Sequence, residues 1–576
     1  MKTTSMAVSQ SITRGGFGKN FYAANVMEIF ERLAWYGFFA LASLYMTTPV
    51  AQGGVGFSDT ERGAILGIVP FFLYILPVFT GALADRYGYR KMFALSFAIM
   101  APGYFLLGSM TSFSGFFMTL MWVALGAACF KPVVVGTISQ STDDTNRSLG
   151  FGIFYTMVNI GGFLGPLVAG YIRVISWDAV FMMSALWILI NFIPLGLFYR
   201  TPKHTIHSQQ SLQQVLLAAQ QVLGNLRFGV WFFVSIIIVM AMGVEWLHFH
   251  HGLLLLVGWS ATNVLWSKLM RNRVATVWYC QPIRISNPKF ALYLLILTGF
   301  WTVYNQLFYT LPLYIRDFVD TSDLVQALAL LGPEWVSFFA HVDLSAVEKL
   351  LLETVIGDQK WDVPITAQAL QTALSHTKLL LPDSDVLSLT QSLKQLVGLS
   401  SEQQKDTISV LATSLLQYRQ VNPEYLINLD FAAIVLLQVL VSHKVRHFRK
   451  ITVLVAGLLI TTLAFLLLVI ASDWLTGGML IVMTILLIAL GEMFTSPKSQ
   501  EYVATMAPHG QAALFMGYYF VSMALGFLFA GFLSGWSYGY LVKELGKPEY
   551  MWGIFAAIAL LTALAFRLFA KRVEER

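Results

Sequence analysis

This chain predicts an all-α integral membrane fold of about fourteen transmembrane helices, and three observations carry that expectation. Of its 576 residues, 57% are hydrophobic and only 12% are charged, whereas a soluble domain carries about 25% charged residues. Apolar runs recur at about the 20-residue length that crosses a bilayer. Lys and Arg gather in alternate loops, as they do where short loops stay on the cytoplasmic side. Together these exclude a soluble enzyme, a disordered scaffold and a nucleic-acid-binding protein. The net charge of +6 then reads as base retained in cytoplasmic loops. Cys129 lies in an apolar run and Cys280 in a basic loop, so no disulfide is expected.

The spans fall into two sets of six. The first lies at roughly 22–46, 63–83, 92–110, 115–138, 149–172 and 179–199. The second lies at roughly 290–315, 427–443, 451–471, 478–500, 512–535 and 551–570. Two further apolar runs, near 228–246 and 252–269, stand between the sets. Bases mark the cytoplasmic loops: Lys2, Arg14 and Lys19 at the start, Arg86, Arg90 and Lys91 after the second span, and Arg200 and Lys203 after the sixth. Lys444, Arg446, Arg449 and Lys450 follow the eighth main span, and Arg567, Lys571 and Arg572 end the chain. This set is consistent if both termini are cytoplasmic. The basic start followed by a full-length span reads as an uncleaved anchor. Both flanks of the central pair are basic (Arg200, Lys203 and Arg227 before it; Lys268, Arg271, Arg273, Arg284 and Lys289 after it). The pair therefore crosses twice. The expected organisation is a cytoplasmic N-terminus (1–20), a first bundle (21–200), a linker with two extra helices (201–289) and the opening helix of a second bundle (290–316). A soluble insert (317–426) follows, and then the remainder of the second bundle with a cytoplasmic tail (427–576).

The insert breaks the apolar pattern. It holds 14 Asp and Glu against 6 Lys and Arg, and topology places it outside the membrane. Runs such as AVEKLLLETVI and SLTQSLKQLVGL have the apolar period of helices, and Asp383, Ser384 and Asp385 form a turn or cap before the second. A small helical extracellular subdomain is expected.

Ionisable residues inside spans are costly and are functional candidates by default. Glu28, Glu31 and Arg32 share one face of the first span at i, i+3 and i+4. Arg32 can hold one carboxylate; the other is then poised in low dielectric to take up and release a proton. Lys131 lies in the fourth main span and Glu492 in the tenth, an arrangement that invites pairing across the halves. Glu245, Lys498 and Glu501 fall near span ends and read as interfacial. His248, His250 and His251 lack a completing carboxylate or Cys and also read as interfacial, so no metal site is expected.

Motifs give these charges a context. Residues 81–91 read GALADRYGYRK, with Gly81, Asp85, Arg86, Gly88, Arg90 and Lys91 at the spacing of the loop signature of the major facilitator superfamily. EIFERLAWYGFFA in the first span resembles the ExxER motif of the proton-dependent oligopeptide transporter (peptide transporter) family. Phe130-Lys131-Pro132, FYTMVNIGGFLGP with Tyr155 and Asn159, Asn422-Pro423, and GEMFTSP with Glu492, Ser496 and Pro497 continue the likeness. It covers nearly the whole chain except 317–426.

That resemblance implies a fold of two six-helix bundles plus two extra central helices. It implies that Glu28, Glu31 and Arg32 couple proton movement to conformational change with Lys131 as partner, and that Glu492 belongs to the same proton-coupling set. Glu492 and Asn159 would hold a peptide amino terminus. Tyr36, Tyr74 and Asn422 would line the cavity, and Tyr155, Asn305, Gln306 and Ser496 would complete the substrate-binding set. Two departures stand out. The family usually has Arg where this chain has Phe39, and an acid where it has Asn305; the two would form a salt bridge on the extracellular side. Losing both is coherent, since losing one strands a buried charge.

The expected function is proton-coupled import of di- and tripeptides across the cytoplasmic (inner) membrane by alternating access. Protons, a small peptide and the lipid bilayer are the expected partners. No cofactor, no nucleic acid and no enzymatic activity are expected, and a monomer should suffice. The alternatives are a superfamily carrier for another solute (an amino acid, a sugar or a drug) and a transport-inactive receptor or scaffold that uses the insert.

Overall fold

In the computed structural model, residues 17–143, 146–200, 220, 224–270, 277–361, 364–474, 477–507 and 512–574 are described. The basic residues Lys2, Arg14, Lys203, Arg271 and Arg273 lie outside them. The N-terminal half contains α1 (Lys19–Thr47), α2 (Asp59–Ile75), α3 (Pro77–Tyr87), α4 (Tyr89–Leu107), α5 (Phe113–Gln140), α6 (Arg147–Ile172), α7 (Trp177–Ile190) and α8 (Phe192–Leu197). The central pair is α9 (Leu226–Gly243) and α10 (Phe249–Leu269). The C-terminal half opens with α11 (Pro288–Tyr304), α12 (Gln306–Tyr309) and α13 (Leu311–Phe318). The insert forms α14 (Ser322–Leu331), α15 (Pro333–Phe339), α16 (Leu344–Trp361), α17 (Ala367–His376), α18 (Asp383–Leu396) and α19 (Ser401–Ser414). The half then resumes with α20 (Pro423–Ile427), α21 (Leu429–Val445), α22 (Lys450–Trp474), α23 (Gly478–Met506), α24 (Ala512–Trp536) and α25 (Pro548–Glu574).

Among the described residues, eleven helical segments are long and apolar enough to cross a membrane. The protein is thus a multi-pass membrane protein. Helices α1, α4 and α10, of 29, 19 and 21 residues, are long enough but more polar, and they lie where the sequence predicts spans. Local chemistry sets several ends. Ser58 and Glu61 form a reciprocal capping box at the start of α2, satisfying amides that a helix start leaves free. Asn225 caps α9 by accepting from the Phe228 amide at 3.1 Å. Pro77, at the first position of α3, can donate no amide hydrogen bond, and the α2 segment ends beside it.

Helix α1 packs on α6 and α7, and α4 on α5. Helix α22 packs on α23 and α25. The halves meet along α2 and α24, where a Cβ on Gly63 would lie 2.5 Å from the Gly531 carbonyl. Only glycine permits that approach; Gly67 and Gly535 continue the seam. The central pair leans on α2, and the Thr60 hydroxyl donates to Glu245 at 3.2 Å.

The insert has its own apolar core, with Val347, Leu351, Leu374 and Leu393 buried among its helices. It is also tied to the bundles. Asp323 accepts from the Gly478 and Met479 amides at 3.0 and 2.9 Å, and the Asn422 amide donates to the Phe339 carbonyl at 2.9 Å. Phe338 stacks on Tyr171 of α6 and on Tyr425 of α20, with centroids 5.8 and 5.2 Å apart. Asp383 and Asp385 fall inside the first turn of α18 rather than before it, because Pro382 occupies the cap position.

Candidate functional site

Helix α1 places Glu28, Glu31 and Arg32 on one face, and packing by α5 and α6 buries all three. Arg32 Nε lies 3.2 Å from Glu28, and the guanidinium also pairs with Glu31. Its charge spreads over the Tyr36 ring, 5.6 Å away. Lys131 of α5 approaches the same group and sits over the Tyr74 ring, with Nζ 4.1 Å from the centroid. This makes two acids and two bases, and among the described residues no exposed charge pairs with them. Truncating one member of such a buried pair typically costs about 3–5 kcal/mol.

A second group stands in the other half. Asp430 of α21 is fully buried and accepts from the Tyr304 hydroxyl at 2.9 Å. Glu492 of α23 lies within reach of the same hydroxyl and interacts electrostatically with Asp430. No salt bridge joins either carboxyl to a base among the described residues. The pairing of Lys131 with Glu492 that the sequence invites is therefore not formed here; each stays with its own half. Tyr36 lies between the two groups, with its ring edge-on to Phe431 at 5.0 Å and Glu492 electrostatically close.

The other predicted residues divide. Tyr74 stacks on Phe527 across the halves at 5.0 Å. Asn159 is half-buried, with its amide on the Tyr155 carbonyl at 3.0 Å. Tyr155 is half-exposed and donates to Gln500 at 2.9 Å. Ser496 is half-buried on α23, one turn beyond Glu492. Asn305 and Gln306 are buried and turned into helix contacts: Asn305 donates to the Trp301 carbonyl, and Gln306 to the Thr302 and Ala530 carbonyls. Asn422 is fully buried beneath the insert, before α20, away from the central groups. In the loop motif, Gly88 turns the chain at φ +91°. Asp85 accepts from the Tyr89 hydroxyl at 3.2 Å, and Arg86, Arg90 and Lys91 are exposed.

At the insert end the halves are sealed. Where a cation would be expected, Phe39 packs against Phe308, Tyr309 and Phe527. Arg62 donates to the Tyr309 carbonyl at 2.8 Å and to the Ser534 hydroxyl at 3.0 Å. Arg173 of α6 pairs with Glu424 of α20 at 3.1 Å. Sequence reasoning passes over Asp430, Arg62, Arg173 and Glu424. Asp430 interrupts the apolar run 427–443 and was detectable by the rule that singles out Glu492; the other three sit at span ends, where charges read as interfacial. Lys498 also departs from its interfacial reading, being buried on α23 with its amine 2.7 Å from Glu501. Among the described residues no His, Cys, Asp or Glu cluster is arranged to hold a metal ion.

Residues 27–340 and 407–576 match the family described as Major Facilitator Superfamily. The chain is 31% identical over 171 residues to the peptide transporter YePEPT of Yersinia enterocolitica, covering 28% of this chain and 33% of that protein. It is 27% identical over 165 residues to the di-/tripeptide transporter of Lactococcus lactis subsp. lactis, covering 28% and 33%. The chain thus spans about a third of the length of these curated relatives. The solved structure of a POT family transporter in complex with 5-aminolevulinic acid shares the fold, with a TM-score of 0.61 at 15% identity over 96% of both chains.

Proposed function

The chain belongs to the Major Facilitator Superfamily, and from that premise we propose that it is a proton-coupled symporter of the oligopeptide transporter family, importing di- and tripeptides. One observation carries this reading: each half holds a pair of buried or half-buried carboxyl groups within its helices, and the pairs differ in kind. On α1 the carboxyls are balanced by Arg32 and Lys131. On α21 and α23 they share a tyrosine hydroxyl and, among the described residues, no base. A zwitterionic peptide needs an anionic site at one end and a cationic one at the other, and the two groups supply them across the space beside Tyr36.

In this reading Asp430 and Glu492, with Asn159 facing them, receive the peptide amine. Lys131 and Arg32 face its carboxylate. Protonation of Glu28 or Glu31 releases Arg32 from one partner and loosens α1 from α5 and α6. Alternating access then follows as the halves rock about the bound peptide. The loop bases favour an outside insert and cytoplasmic termini; in this reading the sealed insert end is the external gate, closed to the exterior. The relatives' organisms favour the bacterial inner membrane. The exposed motif bases Arg86, Arg90 and Lys91 would lie at the cytoplasmic mouth.

The test is uptake of dialanine into proteoliposomes under an inward proton gradient. Wild type should accumulate it; Glu28→Gln, Glu31→Gln and Lys131→Ala should not, at unchanged expression. Unchanged gradient-driven uptake in all three would falsify the coupling assignment. A second reading has a specific support: Phe39 replaces a family cation with an aromatic cluster, which favours a less charged solute. Competition of labelled dialanine by amino acids, sugars and cationic drugs separates the two.

A further inference from the structure

Between the insert and the bundle ends lies a chamber that the transport cycle above does not use. Its outer part holds about 570 Å³ and is lined by Pro49 and Gln52 on one side and by Lys349, Glu353 and His376 of the insert on the other. That volume falls in the range of about 300–1,000 Å³ usual for small-molecule clefts. Gln52, Ala346 and His376 are shared with a deeper recess of about 130 Å³. Arg173, Arg316, His341 and Lys378 line the recess, with Asp343 as the acid among its lining residues.

Lys378 is placed there at a conformational cost. It follows α17 in the left-handed position that closes a helix, at φ +66°, where glycine is the ordinary residue. Its amide donates to the Ser375 carbonyl at 3.0 Å, and the Leu379 amide to Leu374 at 3.1 Å, which fixes the turn. A side chain held in a disfavoured backbone points to a use for that side chain. Yet the Lys378 ammonium makes only a 3.3 Å bond to the His341 carbonyl among the described residues, with no carboxylate in salt-bridge range. Beside it, Arg173 is already committed to Glu424 and Arg316 to Asp317. The recess thus ends in a cation with donor capacity to spare, just outside the seal between the halves.

We propose that this chamber is an entry vestibule in which Lys378 takes the carboxylate of the incoming substrate before the external gate opens. The proposal rests on the peptide reading and on the outward placement of the insert. Chemically, the ligand is any small acid whose carboxylate reaches the recess while its remainder lies in the outer chamber, where Glu353 offers an anion to an amine.

The surroundings make the site respond to pH. Burial, and then the nearby Arg173, pull the Lys378 ammonium down to about 7 against the opposing pull of Glu424 and Asp343. His341 is held below its usual range chiefly by burial and by Lys378. Burial pushes His376 down to about 3, so its ring stays neutral. The charge on Lys378 is therefore present below about pH 7 and lost above it. An acidic exterior, the condition that drives uptake, is also the one that charges the vestibule.

Initial rates of dialanine uptake into proteoliposomes, measured against external concentration at external pH values on both sides of neutrality, test this. Lys378→Met should raise the external KM roughly tenfold at acidic pH, the usual size of one lost charge-assisted contact, with the maximal rate kept. Lys378→Arg should hold the KM low on both sides of neutrality, because its charge does not titrate. An unchanged KM in Lys378→Met, or a fall in maximal rate alone, overturns the vestibule. Calorimetric titration of the purified protein with N-acetyl-alanine and with its amide separates this from the peptide reading. Carboxylate binding lost in Lys378→Met supports the vestibule even if wild type fails to transport dialanine, an outcome that sinks the peptide reading alone. Carboxylate binding equal in both proteins, with dialanine transport intact, sinks the vestibule alone.

Discussion

The N-terminal and C-terminal halves bury carboxyl groups in opposite ways. Around α1, Glu28 and Glu31 are matched by Arg32 and Lys131, so the cluster can be fully ionised and still neutral. Between α21 and α23, Asp430 and Glu492 meet the Tyr304 hydroxyl and no base among the described residues. Two acids so placed cannot both ionise cheaply. In the proposed cycle the first group exchanges partners when a proton arrives, and the second holds a proton or a cation. Similar residues thus take different work from the bases their helices bring near.

The comparison can be broken in order of effect. Arg32→Met strands two buried carboxyls and should cost about 3–5 kcal/mol, read as a large fall in melting temperature; a small shift would mean the cluster is not charge-balanced. Glu492→Gln should raise the dialanine KM by roughly 30-fold or more, the size expected when a charged ligand group loses its partner carboxylate. Counterflow exchange should persist under the proposed reading, in which the α1 group carries the coupling. Asp430→Asn keeps a hydrogen-bond acceptor and should shift the KM by only about 3–10-fold, with a weaker dependence of uptake on pH. Tyr304→Phe removes one hydroxyl and should cost about 0.5–1.5 kcal/mol of stability, measured by thermal unfolding. If Glu492→Gln instead abolishes gradient-driven uptake and counterflow alike, the division of labour between the halves is wrong.

Much of this was legible before any coordinates, and unevenly so. The bilayer forces spans to be long and apolar, so their positions could be read directly, and helical spacing alone gathers Glu28, Glu31 and Arg32. Asp430 was equally readable as a charge in an apolar run. The Arg173–Glu424 pair was not: its members lie 251 positions apart and sit at span ends, and only the docking of α6 on α20 brings them within 3.1 Å. Motif position reads Asn305 and Gln306 as substrate contacts; it does not encode that their side-chain amides donate to the carbonyls one turn back, Trp301 and Thr302, and that Gln306 also donates to Ala530. No periodicity encodes Phe338 between Tyr171 and Tyr425, because that stack needs three elements from both halves and the insert.

The seam between α2 and α24 has a mechanical consequence. Gly63, Gly67, Gly531 and Gly535 bring two peptide backbones into contact with no side chains between them. Surfaces of this kind have nothing to unhook: they part without rotamer rearrangement and close again like flat plates. They are also intolerant of grit. A single methyl group at Gly63 would act as a wedge and leave the insert end of the seam ajar.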